Sequence, residues 1–205
     1  DGKVGGVLVA HPDVAGVAFT GSTEVAWAIN QALAAKRGPI VPLIAETGGI
    51  NAMIVDATAL PEQVTDDVMS SAFRSAGQRC SALRLLCVQD DVADRIVAMI
   101  AGAAAELAVG DPRDPATDVG PVIDAEAKGN LETHLAAMRA ASFAKIAFAG
   151  VAPATGTFVA PHIVELDRPQ RLEREVFGPL LPVVRWPAAA LDDAVDAIAA
   201  TGYGL

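Results

Sequence analysis

The sequence predicts an α/β fold: a mostly parallel sheet flanked by helices. Three observations carry the prediction. Apolar runs short enough for strands alternate with amphipathic stretches long enough for helices. The 205 residues are 52% hydrophobic but only 4% aromatic, so the apolar content is mainly Ala, Val, Leu and Ile, the usual filling of helices packed on a parallel sheet. No internal repeat and no low-complexity linker interrupts the alternation, and alternation of this kind argues for parallel strands joined by helical crossovers.

In chain order, residues 14–20 form a short apolar run that reads as a buried strand. It breaks at Gly21-Ser22 before a stretch with Val25, Ile29 and Leu33 on one helical face. Residues 40–45 make a second apolar run, ending at Glu46-Thr47-Gly48-Gly49, and residues 51–56 a third. Paired glycines there mark a turn or a close backbone approach. From Pro61 a helix is signalled by Pro in the first turn, by Glu62, Asp66 and Asp67, and by Val64, Val68, Ala72 and Phe73, with Gly77 as its stop. Cys80 follows that stop. Residues 81–89 read as a buried strand and 91–108 as a long helix closed by Gly110. A Pro/Asp-rich loop leads to a helix over 124–141. Strands are expected at 145–148, 158–166 and 181–186, and a last helix at 188–200.

Composition also excludes. The formal net charge is −10, and the Lys and Arg residues do not cluster, so the chain lacks the basic face that neutralising nucleic-acid phosphates requires. Two cysteines, Cys80 and Cys87, without a Cys-x-x-Cys or a matched His pair, make a disulfide framework or a zinc site an unsuitable reading. Apolar stretches such as residues 96–105 are too short to cross a bilayer, and the first 20 residues lack a basic start followed by an apolar core. A cytoplasmic, reducing setting is expected. The chain opens at Asp1 without a Met and closes at Gly204-Leu205 straight after a turn signal, so both ends are expected to be cuts from something longer.

Four segments could carry chemistry. Phe19-Thr20-Gly21-Ser22-Thr23-Glu24 places a glycine at a strand end before a helix start, whose N–H groups and positive dipole end suit a phosphate. It lacks the Gly-x-Gly-x-x-Gly fingerprint, and by itself it reads first as an ordinary strand-to-helix turn with Ser22 as N-cap. Gly77-Gln78-Arg79-Cys80-Ser81 sets a cysteine in a loop flanked by Arg79 and near Arg84, which favours a thiolate. Cys87, in Leu85-Leu86-Cys87-Val88, reads as core. Glu46, at the end of an apolar strand, is either a half-buried acid or a general base with a raised pKa. Glu175-Val176-Phe177-Gly178-Pro179 fixes an acid and a ring beside a Gly-Pro turn.

Taken together and in this order, the four segments resemble the aldehyde dehydrogenase superfamily over the whole chain. The wording Ala45-Glu46-Thr47-Gly48-Gly49 and Ser75-Ala76-Gly77-Gln78-Arg79-Cys80-Ser81-Ala82-Leu83-Arg84 is most similar to the pyrroline-5-carboxylate (glutamate semialdehyde) dehydrogenase branch, especially the dehydrogenase module of bacterial bifunctional proline-utilisation enzymes. The resemblance implies NAD as cofactor and an aldehyde as substrate. Cys80 would attack the aldehyde carbon and carry the resulting thioester, and Glu46 would activate the water that hydrolyses it. Gly21 and Ser22 would face the pyrophosphate, Thr47 the nicotinamide, Glu175 the ribose hydroxyls and Phe177 the ring. Ser81 would meet the substrate's own carboxylate.

The same resemblance divides the chain into a distal remnant of the NAD-binding domain, residues 1–46, and a thiol-bearing catalytic domain, residues 47–205. The family's oxyanion-hole Asn and cofactor-ribose Lys belong to an upstream half not present here, so the isolated segment is expected to be inactive. Its parent is expected to be a homo-oligomer, with fusion to a proline dehydrogenase module as a further expectation. Two other readings stay open: a folded or assembly module without activity, and a cysteine acyltransferase or hydrolase. The latter normally recruits a histidine, and His11, His134 and His162 sit in no recognisable motif.

Overall fold

The computed structural model describes residues 2–203. Asp1 and Gly204-Leu205, the ends read as cuts, lie outside the described residues. The chain divides into two compact units, the first ending at Gly48 and the second starting at Gly49.

The first unit is built from helix α1 (Gly2–Ala10), strand β1 (Val17–Gly21), helix α2 (Thr23–Ala34) and strand β2 (Leu43–Thr47). β1 and β2 pair in parallel, with Thr20 opposite Glu46 and Gly21 opposite Thr47. α1 was not expected. Its Gly2-Lys3-Val4-Gly5-Gly6 start carries three glycines, which weaken helix propensity, and none of its residues is buried. α2 has a conventional start: Ser22 is the N-cap, in extended conformation, and its hydroxyl accepts the Val25 N–H at 3.3 Å.

In the second unit a five-stranded sheet runs in the order β3 (Ala52–Val55), β4 (Leu85–Gln89), β7 (Leu180–Trp186), β6 (His162–Leu166) and β5 (Ala144–Ala149). All neighbours are parallel except β5, an antiparallel edge strand with a register shift between Ile146 and Phe148. A mostly parallel sheet is what the sequence predicts, and its central strands are apolar through and through. Leu85, Leu86, Cys87 and Val88 in β4 and Leu180 to Val184 in β7 are all buried, because helices cover both faces of such a sheet.

Among the described residues this unit has four α-helices: α3 (Pro61–Val68), α4 (Asp90–Ala105), α5 (Ala125–Ala140) and α6 (Leu191–Ala199). α4 buries Ala93, Ile96, Val97, Ile100 and Ala104, a stripe at helical spacing, and opens with Asp90 and Asp91 at the positive end of its dipole. α5 starts at an Asp124 N-cap whose carboxylate accepts the Ala127 N–H at 2.8 Å. Among the described residues no helix is long and apolar enough to cross a membrane.

Two departures from the expected elements matter for the site. The helix expected to run from Pro61 to a stop at Gly77 changes character after Val68. It widens into a π-turn over Met69–Phe73 and then tightens over Arg74–Gly77, where Ser75, Ala76 and Gly77 take positive φ of 56°, 52° and 63°. Gly77 alone was read as the stop, whereas the left-handed run begins two residues earlier. The strand expected from residue 81 starts only at Leu85, because residues 81–84 are held out of the ladder by side-chain bonds described below.

Candidate active site

In the first unit, the carboxyl ends of β1 and β2 bring Gly21, Ser22, Glu46 and Thr47 to one edge of a two-stranded parallel sheet. Glu46 and the Gly21-Ser22 turn are exposed. Ligands of α/β sheets bind outside the carboxyl ends of parallel strands, and a helix start there attracts phosphate. A side chain on Gly21 would meet the tip of the Phe19 ring, which would have to swing aside. The Gly21 turn and the capped α2 start thus have the form and donor chemistry to receive a pyrophosphate, with Thr47 beside them on the neighbouring strand.

In the second unit, Cys80 lies exposed in the turn between Gly77 and β4, with Ser81 exposed beside it. The loop backbone is pinned from three sides. Asn51 Nδ2 donates to the carbonyls of Cys80 at 2.6 Å and Ala82 at 2.8 Å. The Asn51 backbone carbonyl accepts the N–H groups of Arg84 and Leu85 at 2.9 and 3.1 Å. Gln78 bridges outward, its Nε2 donating to Ser75 and Pro121 carbonyls and its Oε1 accepting the Ile123 N–H at 2.7 Å.

Arg79 and Arg84 were read as charges near the thiol, but the structure gives each guanidinium a different task. Arg79 Nη2 donates to the Ser70 and Ser71 carbonyls, both at 3.0 Å, so it ties the loop to the π-turn. Arg84, only 3% exposed, reaches the carbonyls of Gly77, Arg79 and Gly178. Its burial lowers its pKa, opposed by the Glu175 carboxylate.

Glu175 is turned inward. Its Oε2 accepts the Gly49 N–H at 3.1 Å, and its Oε1 faces Arg84 Nε at 3.6 Å, an ion pair too long for a hydrogen bond. Neither Oε1 nor Nε has a hydrogen-bond partner. Burial raises the Glu175 carboxyl above its ordinary pKa, while the Gly49 N–H and Arg84 hold it part of the way back. A carboxylate can only accept, and a ribose hydroxyl has a proton to give, so Glu175 has the chemistry for such a partner. Phe177 is 44% exposed, with Arg84 Cζ 4.9 Å from its ring centroid, so one edge of the ring remains available for packing. On these features Glu175 and Phe177 have the chemistry to take a ribose hydroxyl and to pack against a flat ring.

Cys87 contrasts with Cys80. It is buried in β4, and loss of solvent pushes its thiol up to about 12. His162 is committed elsewhere: Nε2 faces the Arg139 guanidinium at 2.9 Å and so accepts, leaving Nδ1 to donate to the Ala160 carbonyl at 2.8 Å. Among the described residues no histidine hydrogen-bonds Cys80, and no cluster of three or more His, Cys, Asp or Glu could hold a metal.

The sequence model of the aldehyde dehydrogenase family matches residues 1–205. The chain belongs to the aldehyde dehydrogenase family. It is 54% identical over 211 residues to the bifunctional protein PutA of Rhizobium meliloti, a match covering 100% of this chain and 17% of that protein. It is 32% identical over 209 residues to the 1-pyrroline-5-carboxylate dehydrogenase of Geobacillus kaustophilus, covering 99% of this chain and 40% of the relative. A crystal structure of bifunctional proline utilization A superimposes with a TM-score of 0.96 at 67% identity, over 100% of this chain and 20% of that one. The betaine aldehyde dehydrogenase of Staphylococcus aureus, solved with NAD+ and a BME-modified cysteine, superimposes with a TM-score of 0.88 at 27% identity, over 97% of this chain and 40% of that one. The chain spans only about a sixth of the length of the PutA relatives, at 16 to 17%.

Asn51 and Gln78 were missed as site residues, and Arg84 was noticed only as a nearby charge. Asn51 lies just after Gly48-Gly49 and before a strand, a position where a side-chain amide with two N–H donors is a usable signal of a clamp on neighbouring carbonyls.

Proposed function

We propose that this chain is the thiol-bearing part of an NAD-dependent aldehyde dehydrogenase, with glutamate semialdehyde as substrate and glutamate as product. The observation that carries the reading is an exposed cysteine on a loop fixed by Asn51, Arg79 and Arg84. The reading is supported by membership of the family and by similarity to proteins named for proline utilisation and pyrroline-5-carboxylate oxidation.

In this reading the Cys80 thiolate adds to the aldehyde carbon, and its sulfur stays bonded there as that carbon is oxidised to a thioester. NAD, when bound, supplies the hydride acceptor for that oxidation. Gly21 and Ser22 hold the pyrophosphate end, Thr47 and Phe177 border the nicotinamide, and Glu175 accepts from the ribose hydroxyls. Glu46 takes a proton from water as its oxygen attacks the thioester, releasing the carboxylate and returning the Cys80 thiol. Ser81, exposed beside Cys80, donates to the substrate's own carboxylate.

The proposal includes the division of labour between a nucleotide-binding first part and a thiol-bearing second part, a cytoplasmic setting, and a homo-oligomeric parent that also carries a proline dehydrogenase module. It also includes negligible turnover by the 205 residues alone. NADH release from glutamate semialdehyde, measured for the isolated segment and for an enzyme carrying it at the length of its relatives, tests the function. Cys80→Ser in the longer enzyme should abolish release, and unchanged release would sink the reading. The hydrolase reading predicts ester cleavage without nicotinamide, and nicotinamide-independent turnover would replace the proposal with it.

A further inference from the structure

Burying a guanidinium is costly unless its donors are used, and Arg84 uses them across two segments distant in sequence. Nη2 serves the Gly77 and Arg79 carbonyls, both in the loop that leads to Cys80. Nη1 serves the Gly178 carbonyl at 3.2 Å, and Nε faces Glu175 at 3.6 Å, both in the segment that follows residue 174. We infer that Arg84 is a positioning residue that couples the Cys80 loop to Glu175, so that a change at the Glu175 carboxylate is felt at the thiol. The inference rests on the proposal that Cys80 and Glu175 serve one active site.

The coupling follows from the shape of the group. A guanidinium is planar and rigid, so its three nitrogens move together. The bonds to the carbonyls anchor two corners, and the gap at Nε is the loose one, because Nε and Glu175 Oε1 face each other with neither hydrogen-bonded. Closing that gap, or drawing Glu175 away toward another donor, tilts the plane and pulls on Gly77 and Arg79. Glu175 itself makes no hydrogen bond to residues 77–80 among the described residues, so Arg84 is its polar link to them. The direct backbone contact of Gly77 with Gly178 keeps the two segments in register.

Amide hydrogen exchange on the 205-residue chain, without cofactor or substrate, tests the coupling. Glu175→Gln keeps the side-chain volume and removes the charge. It should speed exchange at residues 77–80 by about ten-fold, with β4 and β7 within about two-fold of wild type. The iodoacetamide rate of Cys80 should shift by at least about three-fold in the same variant. In an Arg84→Lys background the added effect of Glu175→Gln should fall below about two-fold, since an ammonium cannot span the carbonyls and the carboxylate at once. Three outcomes overturn the inference: no change at residues 77–80 in Glu175→Gln, independent addition of the two substitutions, or equal loosening of β4 and β7. Should Arg84→Lys fail to fold, Glu175→Gln alone decides. If coupling holds while an enzyme carrying the segment never acylates Cys80, the proposed function falls and the coupling stands. The reverse result removes the coupling alone.

Discussion

Gly77 and Gly178 meet backbone to backbone: a Cβ on Gly77 would collide with the Gly178 carbonyl, the same oxygen that accepts from Arg84 at 3.2 Å. Gly77 also sits at a φ of 63°, where a side chain is strained. Gly77→Ala should therefore destabilise the chain by ~2–4 kcal/mol in denaturant unfolding, the sum of left-handed strain and a forced backbone shift. A loss below ~0.5 kcal/mol would mean that the loop and the Gly178 turn separate easily.

Gly102 gives the opposite expectation. It lies inside α4 with nothing within 4 Å of an added Cβ. Gly102→Ala should stabilise by ~0.5–1 kcal/mol through helix propensity, read as a rise in the urea midpoint at constant slope.

The two cysteines should separate cleanly under alkylation. Cys80 is exposed, whereas Cys87 is buried with its thiol pushed up to about 12, and only the thiolate attacks iodoacetamide. Peptide mapping after brief treatment of the native chain should find label on Cys80 and none on Cys87 until denaturant is added. Labelling of Cys87 first would contradict the placement of the two thiols.

Much of this was legible in the residues. The central strands β4 and β7 announced themselves because burial on both faces makes them read as unbroken apolar runs, as in Leu85-Leu86-Cys87-Val88. Ser22 and Asp124 were readable as helix starts for a local reason, since an N-cap bonds within its own turn. Less legible were facts that depend on long-range closure. Nothing near Arg84 in sequence tells that its partners include Gly178 and Glu175, and nothing near Glu175 tells that it turns toward Gly49. The positive φ at Ser75 and Ala76 was hidden for the same reason: neither residue favours that conformation, so the surrounding loop must impose it.

Stability should fall on mild acidification, through His162. Burial and Arg139 lower its pKa in the fold, outweighing the bond to the Ala160 carbonyl. The unfolded histidine, near ~6.5, therefore binds a proton more readily than the folded one. The stabilisation is complete above that value and is lost as pH falls from about 6.5 toward the lower folded pKa. His134, also lowered by burial and by Arg174, adds with the same sign. Urea unfolding at pH 7.5 and 5.5 should show the decline, and His162→Gln should make it shallower. An unchanged slope would show that His162 does not titrate differently on folding.

In an enzyme carrying this segment, Glu46→Gln should slow hydrolysis of the thioester more than its formation, because only the water step needs a base. Rapid-mixing absorbance should record a burst near one NADH per site followed by slow turnover. Loss of the burst itself would assign Glu46 an earlier role.

The central claim is that Cys80 carries the acyl group. Acid-quenching the Glu46→Gln enzyme milliseconds after mixing with NAD and glutamate semialdehyde, then sequencing its peptides by mass spectrometry, tests this directly. An acyl adduct that hydroxylamine removes is expected on the Cys80 peptide. An unmodified Cys80 while NADH accumulates, or an adduct on another residue, would contradict it.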